Sequence, residues 1–390
     1  MLQPHLPYVG AAVLGVVEMA GLDSMFGRAY RSGWIAAVGD IIGSSDPQVA
    51  VLPLSSTKVL KHYTGWSAMD NLLAWAAVMW ANVVDGSTPP LSLYAIQFSG
   101  QLVPVFAVFM IEGLRIGNSH NAFYYSVLWG YLMQMFGYAT IMPLYCSVHL
   151  LLSPTAGTHR ESARPRYLTP LDLRAVAPAI SLGYGGLTFL FAYPFASGDI
   201  RQWLCAVWQG FPLHVVGIQY ILANTILPKT KSKQHLSRTL NQDVTALSSF
   251  YNFCFYVAAS TQIFVFSVLG VVAVSPTLFP AYLAETLTVA NVFVPGPWYS
   301  FRPMESMATE MHTMLLYDQY VGSMAGIIWA VILYSISRSS PLRFREQLFL
   351  GFDVLKWCVI GGPAGAVVRL LQRRDTQLLL QSNAPQKKAE

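Results

Sequence analysis

The chain has 390 residues, of which 54 % are hydrophobic and only 11 % charged, and its formal net charge is +5. Soluble domains carry about 25 % charged residues, so this composition excludes a disordered chain, a disulfide framework and an ordinary water-soluble enzyme. The basic residues fall in short clusters between apolar stretches, where topology signals sit, so no nucleic acid is expected as a partner.

A helix needs roughly 20 apolar residues to cross a bilayer. The first candidate, Pro7–Phe26, carries Glu18 and Asp23 and lacks a basic n-region, which does not suit a cleaved signal and leaves an interfacial placement open. The polar stretch from roughly Arg28 to Ser67 reads as a connecting loop. Then come Met69–Asp85, Leu91–Arg115, Ala122–Leu152, Leu173–Phe195, Ile200–Leu227 and Thr245–Val274. Leu278–Val294 is apolar too, but it holds Glu285 and Asn291, with Pro280 near its start and Pro295, Gly296 and Pro297 after it. As a helix it is about 25 Å long, and prolines interrupt helical hydrogen bonding. It is therefore expected to be re-entrant or interfacial. His312–Ser335 and Leu348–Leu371 complete the series, the last interrupted by Asp353, Lys356 and a GGPAG break at Gly361–Gly365.

The expected fold is all-α: a polytopic transmembrane helical bundle of eight or nine spans. It forms one domain over residues 1–371, with a polar basic tail over 372–390. Sheet is excluded because an open edge cannot be satisfied in lipid. The four cysteines, Cys146, Cys205, Cys254 and Cys358, all lie in apolar spans without CxxC spacing and read as packing thiols. With nine spans the clusters Arg160/Arg164/Arg166, Lys229/Lys231/Lys233/Arg238 and Arg338/Arg343/Arg345 share one side, while the basic tail falls opposite. The positive-inside rule alone does not fix the orientation.

Ionisable side chains inside spans are functional candidates by default, because they are costly in lipid. Asp70 begins a helix, where a carboxylate suits the macrodipole. Asp85 ends its span in WANVVDGSTPP and is either a helix-end turn residue or an acid facing a cavity. Glu112 and Arg115 are spaced i, i+3, as an ion pair or as an acid tuned by its neighbour. His149 and His214 read as hydrogen-bonded core histidines, and Asp353 and Lys356 as a mutual pair. Asp318, in MLLYDQYVGSMAGIIWA, has no Lys or Arg within one turn. It is expected to hold its proton, as a general acid must.

Many of the 51 aromatic residues lie in mid-span, Trp75, Trp80, Phe106, Tyr131 and Phe264 among them. Bundle packing explains most. Some of them could instead line a cavity, where ring faces stabilise cations. No DDxxD, NDxxD or NxxxSxxxE pattern is present to hold a diphosphate-bound Mg²⁺, and no DxDD acid motif. Walker, GxGxxG, HExxH and GxSxG patterns are absent as well. No metal site and no cofactor are expected.

Four segments, in order, carry a resemblance: WANVVDGSTPPLSLYAIQFSGQ (Trp80–Gln101), IEGLRIGN (Ile111–Asn118), MPLYCSVHLLLSPT (Met142–Thr155) and LLYDQYVGSMAGIIWA (Leu315–Ala330). The chain resembles the fungal integral membrane terpene cyclases of meroterpenoid pathways, of the ascofuranone and ascochlorin type. The resemblance implies that a carboxylic acid protonates a terminal epoxide or alkene of a prenylated small molecule, which closes through carbocations. Asp318 or Glu112 would be the acid and Asp85 the second group. Trp80, Arg115, Asn118, Tyr317 and Tyr320 are the candidate substrate contacts. Members often have an aromatic where this chain reads Met79–Trp80–Ala81–Asn82. The expected setting is multi-pass, in the endoplasmic reticulum membrane and in contact with its lipid. A lipid or metabolite transporter and a membrane acyltransferase using His149 or His214 are the alternatives. Asp85 and Glu112 close opposite ends of neighbouring antiparallel spans, about 30 Å apart, and are not expected to share one cavity.

Overall fold

The computed structural model describes residues 5–156, 170–194, 197–226, 240–338 and 340–382. The clusters at Arg160–Arg166 and Lys229–Arg238, and Lys387 and Lys388 of the tail, lie outside the described residues. Among the described residues the chain is helical, apart from one isolated β-bridge between Val51 and Lys58.

The main helices, in chain order, are α1 (Leu6–Arg31), α2 (Trp34–Gly43), α3 (Ser67–Val84), α4 (Pro89–Leu114), α5 (Ser126–Phe136), α6 (Tyr138–Leu152), α7 (Leu173–Ala192), α8 (Gly198–Gln209), α9 (Phe211–Ile221), α10 (Leu240–Val274), α11 (Ala281–Thr286), α12 (Val289–Phe293), α13 (Met307–Ile336) and α14 (Phe344–Ser382). Among the described residues six stretches are long and apolar enough to cross a bilayer: α1, α4, α7, Thr245–Val274, α13 and Phe344–Leu379. That is fewer than the eight or nine spans expected, and chain reversals inside apolar segments account for part of the difference.

The central helix α4 fixes the frame. Pro89 and Pro90 open it, where the missing N–H costs nothing. Its 26 residues cover about 39 Å, from just after Asp85 to Glu112. Helix α13 runs parallel to it: Tyr94 meets Gln319 near one end, and Glu112 meets Trp329 through His149 near the other. Helix α1 runs the opposite way, with Arg28 on Glu310 and Gly10 against Ile332. Both α1's exit and α4's entry thus lie at the Asp85 end. Helix α3, 18 residues long, is not among the six apolar stretches, in contrast to the span expected at Met69–Asp85. The loop before α3 is held by Asp70, which accepts from the N–H groups of Tyr63, Thr64 and Gly65.

The run Ala122–Leu152 is not one span but a hairpin. Trp129 of α5 and Tyr145 of α6 have ring centroids 4.9 Å apart. In a straight helix these residues would lie about 24 Å apart. The reversal is at Gly137, φ +83°, a conformation that L side chains avoid. Tyr138, Ala139 and Thr140, which open α6, are buried, so their N–H groups need an acceptor that lipid cannot supply. Asp318 supplies it: Oδ1 accepts from the Ala139 N–H at 2.8 Å. A Cβ at Gly137 would stand 2.7 Å from that oxygen.

Helix α14 repeats the device. Asp353 and Arg373 pair at 2.7 Å, although a straight helix would separate them by about 30 Å. The reversal is at Gly362, φ +69°, in the GGPAG break. Fully buried Gln101 of α4 serves the tip, accepting from Ala364 N–H at 3.1 Å and donating to Gly361 C=O at 3.1 Å. Residues 372–382, read as the start of a polar tail, continue the returning arm, with Arg374 and Asp375 buried.

Both hairpins enter from the Glu112 end. The pair α8–α9, stacked end to end around Gly210, makes the passage that α14 does not. The stretch Leu278–Val294 forms only the short helices α11 and α12, and α10 ends at the same end where α13 begins. It does not cross, as its prolines foretell.

Candidate active site

The candidate residues fall in three places. The first is an apolar cavity of about 210 Å³ in the Asp85 half of the bundle, between α3, α4, α7, α8 and α13. Its aromatic walls are Trp80, Phe98, Tyr184, Phe191 and Trp208. Trp80 meets Trp208 edge-on at 5.1 Å, and Tyr184 and Phe191 pack around the same indole. Its hydroxyls are mostly committed. Ser99 donates to Ile96 C=O, Thr188 to Tyr184 C=O and Tyr184 to Ser99 C=O, while Trp208 Nε1–H donates to Thr188 Oγ1 at 2.9 Å.

Asp85 lies in a crevice next to this cavity, and Trp80 and Phe191 line both spaces. Arg201, Gln202 and Thr57 share the crevice. The turn chemistry read from DGSTPP is present: Asp85 Oδ1 accepts from Ser87 N–H at 2.9 Å and from Ser87 Oγ at 2.6 Å. Oδ2 has a single long bond, from Asn82 Nδ2 at 3.3 Å. Asn82 is tied in turn to Pro53 C=O. One oxygen of Asp85 is thus held firmly and the other is largely open.

The second place is a buried ion cluster at the other end. Glu112 Oε1 accepts from Arg115 Nε at 2.9 Å, and Arg115 Nη2 reaches Asp375 Oδ2 at 2.7 Å. Tyr251 also donates to Asp375, at 2.7 Å. Arg374 binds Thr155 C=O and stands 3.8 Å from Glu112. Glu112 Oε2 accepts from Thr155 Oγ1 at 2.8 Å. Trp329 Nε1–H points at His149 Nδ1, 3.2 Å away. An indole N–H only donates, so His149 carries its proton on Nε2, 3.2 Å from Glu112 Oε2. Asn118 closes the group, donating to Glu112 C=O at 2.8 Å and accepting from Ser153 Oγ at 2.9 Å. Two carboxylates and two guanidiniums balance, and all four side chains are at most 2 % exposed. The cluster joins α4, α6, α10, α13 and α14. It leaves neither oxygen of Glu112 open to a ligand.

The third place is the Asp318 cap. It lies ten residues along α6 from His149, thus about 15 Å from the ion cluster. Its expected neighbours face elsewhere: Tyr317 donates to Gly296 C=O at 2.6 Å and Tyr320 to Phe293 C=O at 2.5 Å. Both hydroxyls anchor α13 to the segment after α10. Asp353 and Lys356 pair at 2.7 Å, as read. His214 lies on α9 and lines neither the cavity nor the crevice; its Nδ1 has no hydrogen-bond partner among the described residues, unlike the bonded core histidine expected.

Of the sequence candidates, Trp80 therefore lines the cavity and meets Asp85 in the crevice behind its wall, and Glu112, Arg115 and Asn118 meet in the cluster. Trp208, Tyr184 and Phe191 were not singled out, because nothing in a periodic apolar run marks which rings face a hollow. Arg374 and Asp375 did leave a signal, an Arg–Asp pair directly after an apolar run, but it was read as tail. Among the described residues no three His, Cys, Asp or Glu side chains form a group that could hold a metal ion.

The CtvD domain matches residues 10–379. The chain is 28 % identical to the terpene cyclase ascI of Acremonium egyptiacum, over 82 % of this chain and 80 % of that protein. It is 26 % identical to the terpene cyclase ctvD of Aspergillus terreus, over 93 % and 98 % respectively. A third relative, the FAD-dependent monooxygenase anuJ of Penicillium roqueforti, is 22 % identical over 66 % of this chain but only 29 % of its own length. No solved structure matches.

Proposed function

The chain belongs to the CtvD domain family and is, like ascI and ctvD, a terpene cyclase; from that premise we propose that it cyclises a prenylated, meroterpenoid substrate in the aromatic cavity, with Asp85 as proton donor. The observation that carries this reading is the pairing of an aromatic hollow with a carboxyl group just behind its wall. Protonated Asp85 gives its proton to a terminal epoxide oxygen or alkene. For an epoxide the C–O bond breaks as the proton arrives. The nearest alkene then supplies the electron pair for the new ring bond. The faces of Trp80, Phe98, Tyr184, Phe191 and Trp208 stabilise the migrating cation. Loss of a proton to water or to the Asp85 carboxylate ends the sequence.

Asp85 is preferred to the other two carboxyls on geometry. Both Glu112 oxygens are occupied by donors at the far end of α4, and Asp318, which accepts from the Ala139 N–H, lines neither the cavity nor the crevice beside it. Those two residues hold the hairpins in register around the cavity. The match to part of a much longer FAD-dependent monooxygenase supports a substrate that is oxygenated before it is cyclised.

The setting is the endoplasmic reticulum membrane, with the Glu112 end in the cytosol. Arg338, Arg343, Arg345 and Arg373 lie at that end, and the helices flanking 157–169 and 227–239 begin or finish there. The positive-inside rule then acts in one direction.

The test is turnover of a farnesylated phenol epoxide by microsomes from a heterologous host, with and without EDTA. Cyclisation is expected to survive chelation. Loss of product on EDTA, restored by Mg²⁺, would overturn the protonating mechanism.

A further inference from the structure

We propose that Ser92 is the positioning residue that orients the substrate, donating its hydroxyl hydrogen to an oxygen of the prenylated molecule at the Asp85 end of the cavity. This rests on the reading of the cavity as the site of cyclisation. Ser92 lies in the first turn of α4, and its side chain forms part of the cavity wall beside Trp80 and Val84. Its Oγ is buried and has no hydrogen-bond partner among the described residues.

That is unusual for a serine in a helix, which ordinarily turns its hydroxyl back onto the carbonyl three or four residues earlier. Ser99, on the same wall two turns further on, does so, donating to Ile96 C=O at 2.9 Å. For Ser92 the Thr88 carbonyl is within reach and takes the Ser92 backbone N–H, yet not the hydroxyl. Of the other polar side chains of the wall, Ser99, Thr188, Tyr184 and the Trp208 indole are committed as donors within the protein. A buried polar group without a partner calls for one; the Ser92 Oγ is covered in its present rotamer, and a turn about its Cα–Cβ bond, which breaks no hydrogen bond, is what would present it to the cavity that the residue lines. A hydroxyl free to donate there selects a ligand oxygen. It also fixes polarity: the oxygen-bearing end sits towards Asp85, and the hydrocarbon chain extends past Phe98 and Tyr184.

The test compares Ser92→Ala, Ser92→Thr and the unchanged protein, each with an oxygenated substrate and with its deoxygenated, alkene-ended analogue as competitor. Removing one neutral hydrogen bond should lower kcat/KM for the oxygenated substrate about three- to tenfold. Competition by the deoxygenated analogue should be unchanged, and Ser92→Thr should restore most of the loss. Deleting a hydroxyl that bonds nothing in the protein should leave the thermal midpoint equal or higher, whereas a structural serine would lower it. Equal losses for both ligands, or unchanged kcat/KM in Ser92→Ala, would overturn the proposal. Filling the hollow with Ser99→Trp separates the two levels. If that variant is inactive while Ser92→Ala is normal, only the role of Ser92 fails; if it is fully active, the cavity reading itself is wrong.

Discussion

Asp85→Asn is expected to lower cyclisation by at least about a hundredfold, with expression and membrane insertion unchanged, because general acid catalysis contributes typically 10²–10⁴-fold. Asparagine keeps the size of the side chain, and its amide oxygen can still accept from Ser87 N–H, so the turn into α4 persists. What is lost is the transferable proton beside the cavity. Asp318→Asn makes the contrast. An amide oxygen there can still accept the Ala139 N–H that caps the buried start of α6, so this variant should keep turnover within about tenfold of the parent. The two variants assayed side by side in microsomes decide the matter. Normal activity in Asp85→Asn with loss in Asp318→Asn would move the acid to the middle of α13.

Arg115→Met should be the most damaging change to the fold. Its guanidinium bridges Glu112 and Asp375, and its removal leaves two buried carboxylates facing each other across the space it filled. Breaking one partner out of a buried ion group costs about 3–5 kcal/mol, a large share of a stability of about 5–15 kcal/mol. The thermal midpoint of the solubilised protein should fall steeply, and yield with it. Arg115→Lys should not rescue, because an ammonium cannot reproduce the planar fork that serves two carboxylates at once. Arg115→Met combined with Glu112→Gln should recover part of the loss, since one uncompensated charge is then gone. A thermal midpoint unchanged in Arg115→Met would show that the cluster does not hold the hairpins together.

Much of this architecture can be read from residue order, and the part that cannot has a physical reason. The Glu112–Arg115 pair follows from helical spacing, and the reversal at Gly362 from the GGPAG break. The failure of Leu278–Val294 to cross follows from its prolines. The hairpin at Gly137 does not follow. Its two arms together are long enough for a single span, and one glycine in an apolar run carries no distinguishing mark. Missing that reversal inverts every later helix relative to Glu112, whereas the basic tail falls opposite the other clusters only if Leu348–Leu371 is counted as a crossing, which the reversal at Gly362 forbids. Asp318 illustrates the same limit. Its carboxyl has no charged neighbour in sequence, and a donor that it accepts from, the Ala139 N–H, lies 179 residues away at a reversal hidden from local pattern. Buried broken helices also occur in transporters, where they come as inverted pairs. Here both hairpins enter from one end.

The central claim is that the prenyl chain folds in the hollow around Trp208, at the Asp85 end. The direct measurement is photolabelling with a prenylated substrate analogue that carries a diazirine on its chain, followed by peptide mapping. Label on the peptides containing Trp80, Phe98, Tyr184, Phe191 or Trp208 is the predicted result, suppressed by excess substrate. A second groove, at the Glu112 end, is lined by Tyr124, Val216, Gln219 and Tyr220. Substrate-protected label confined to that groove would contradict the account.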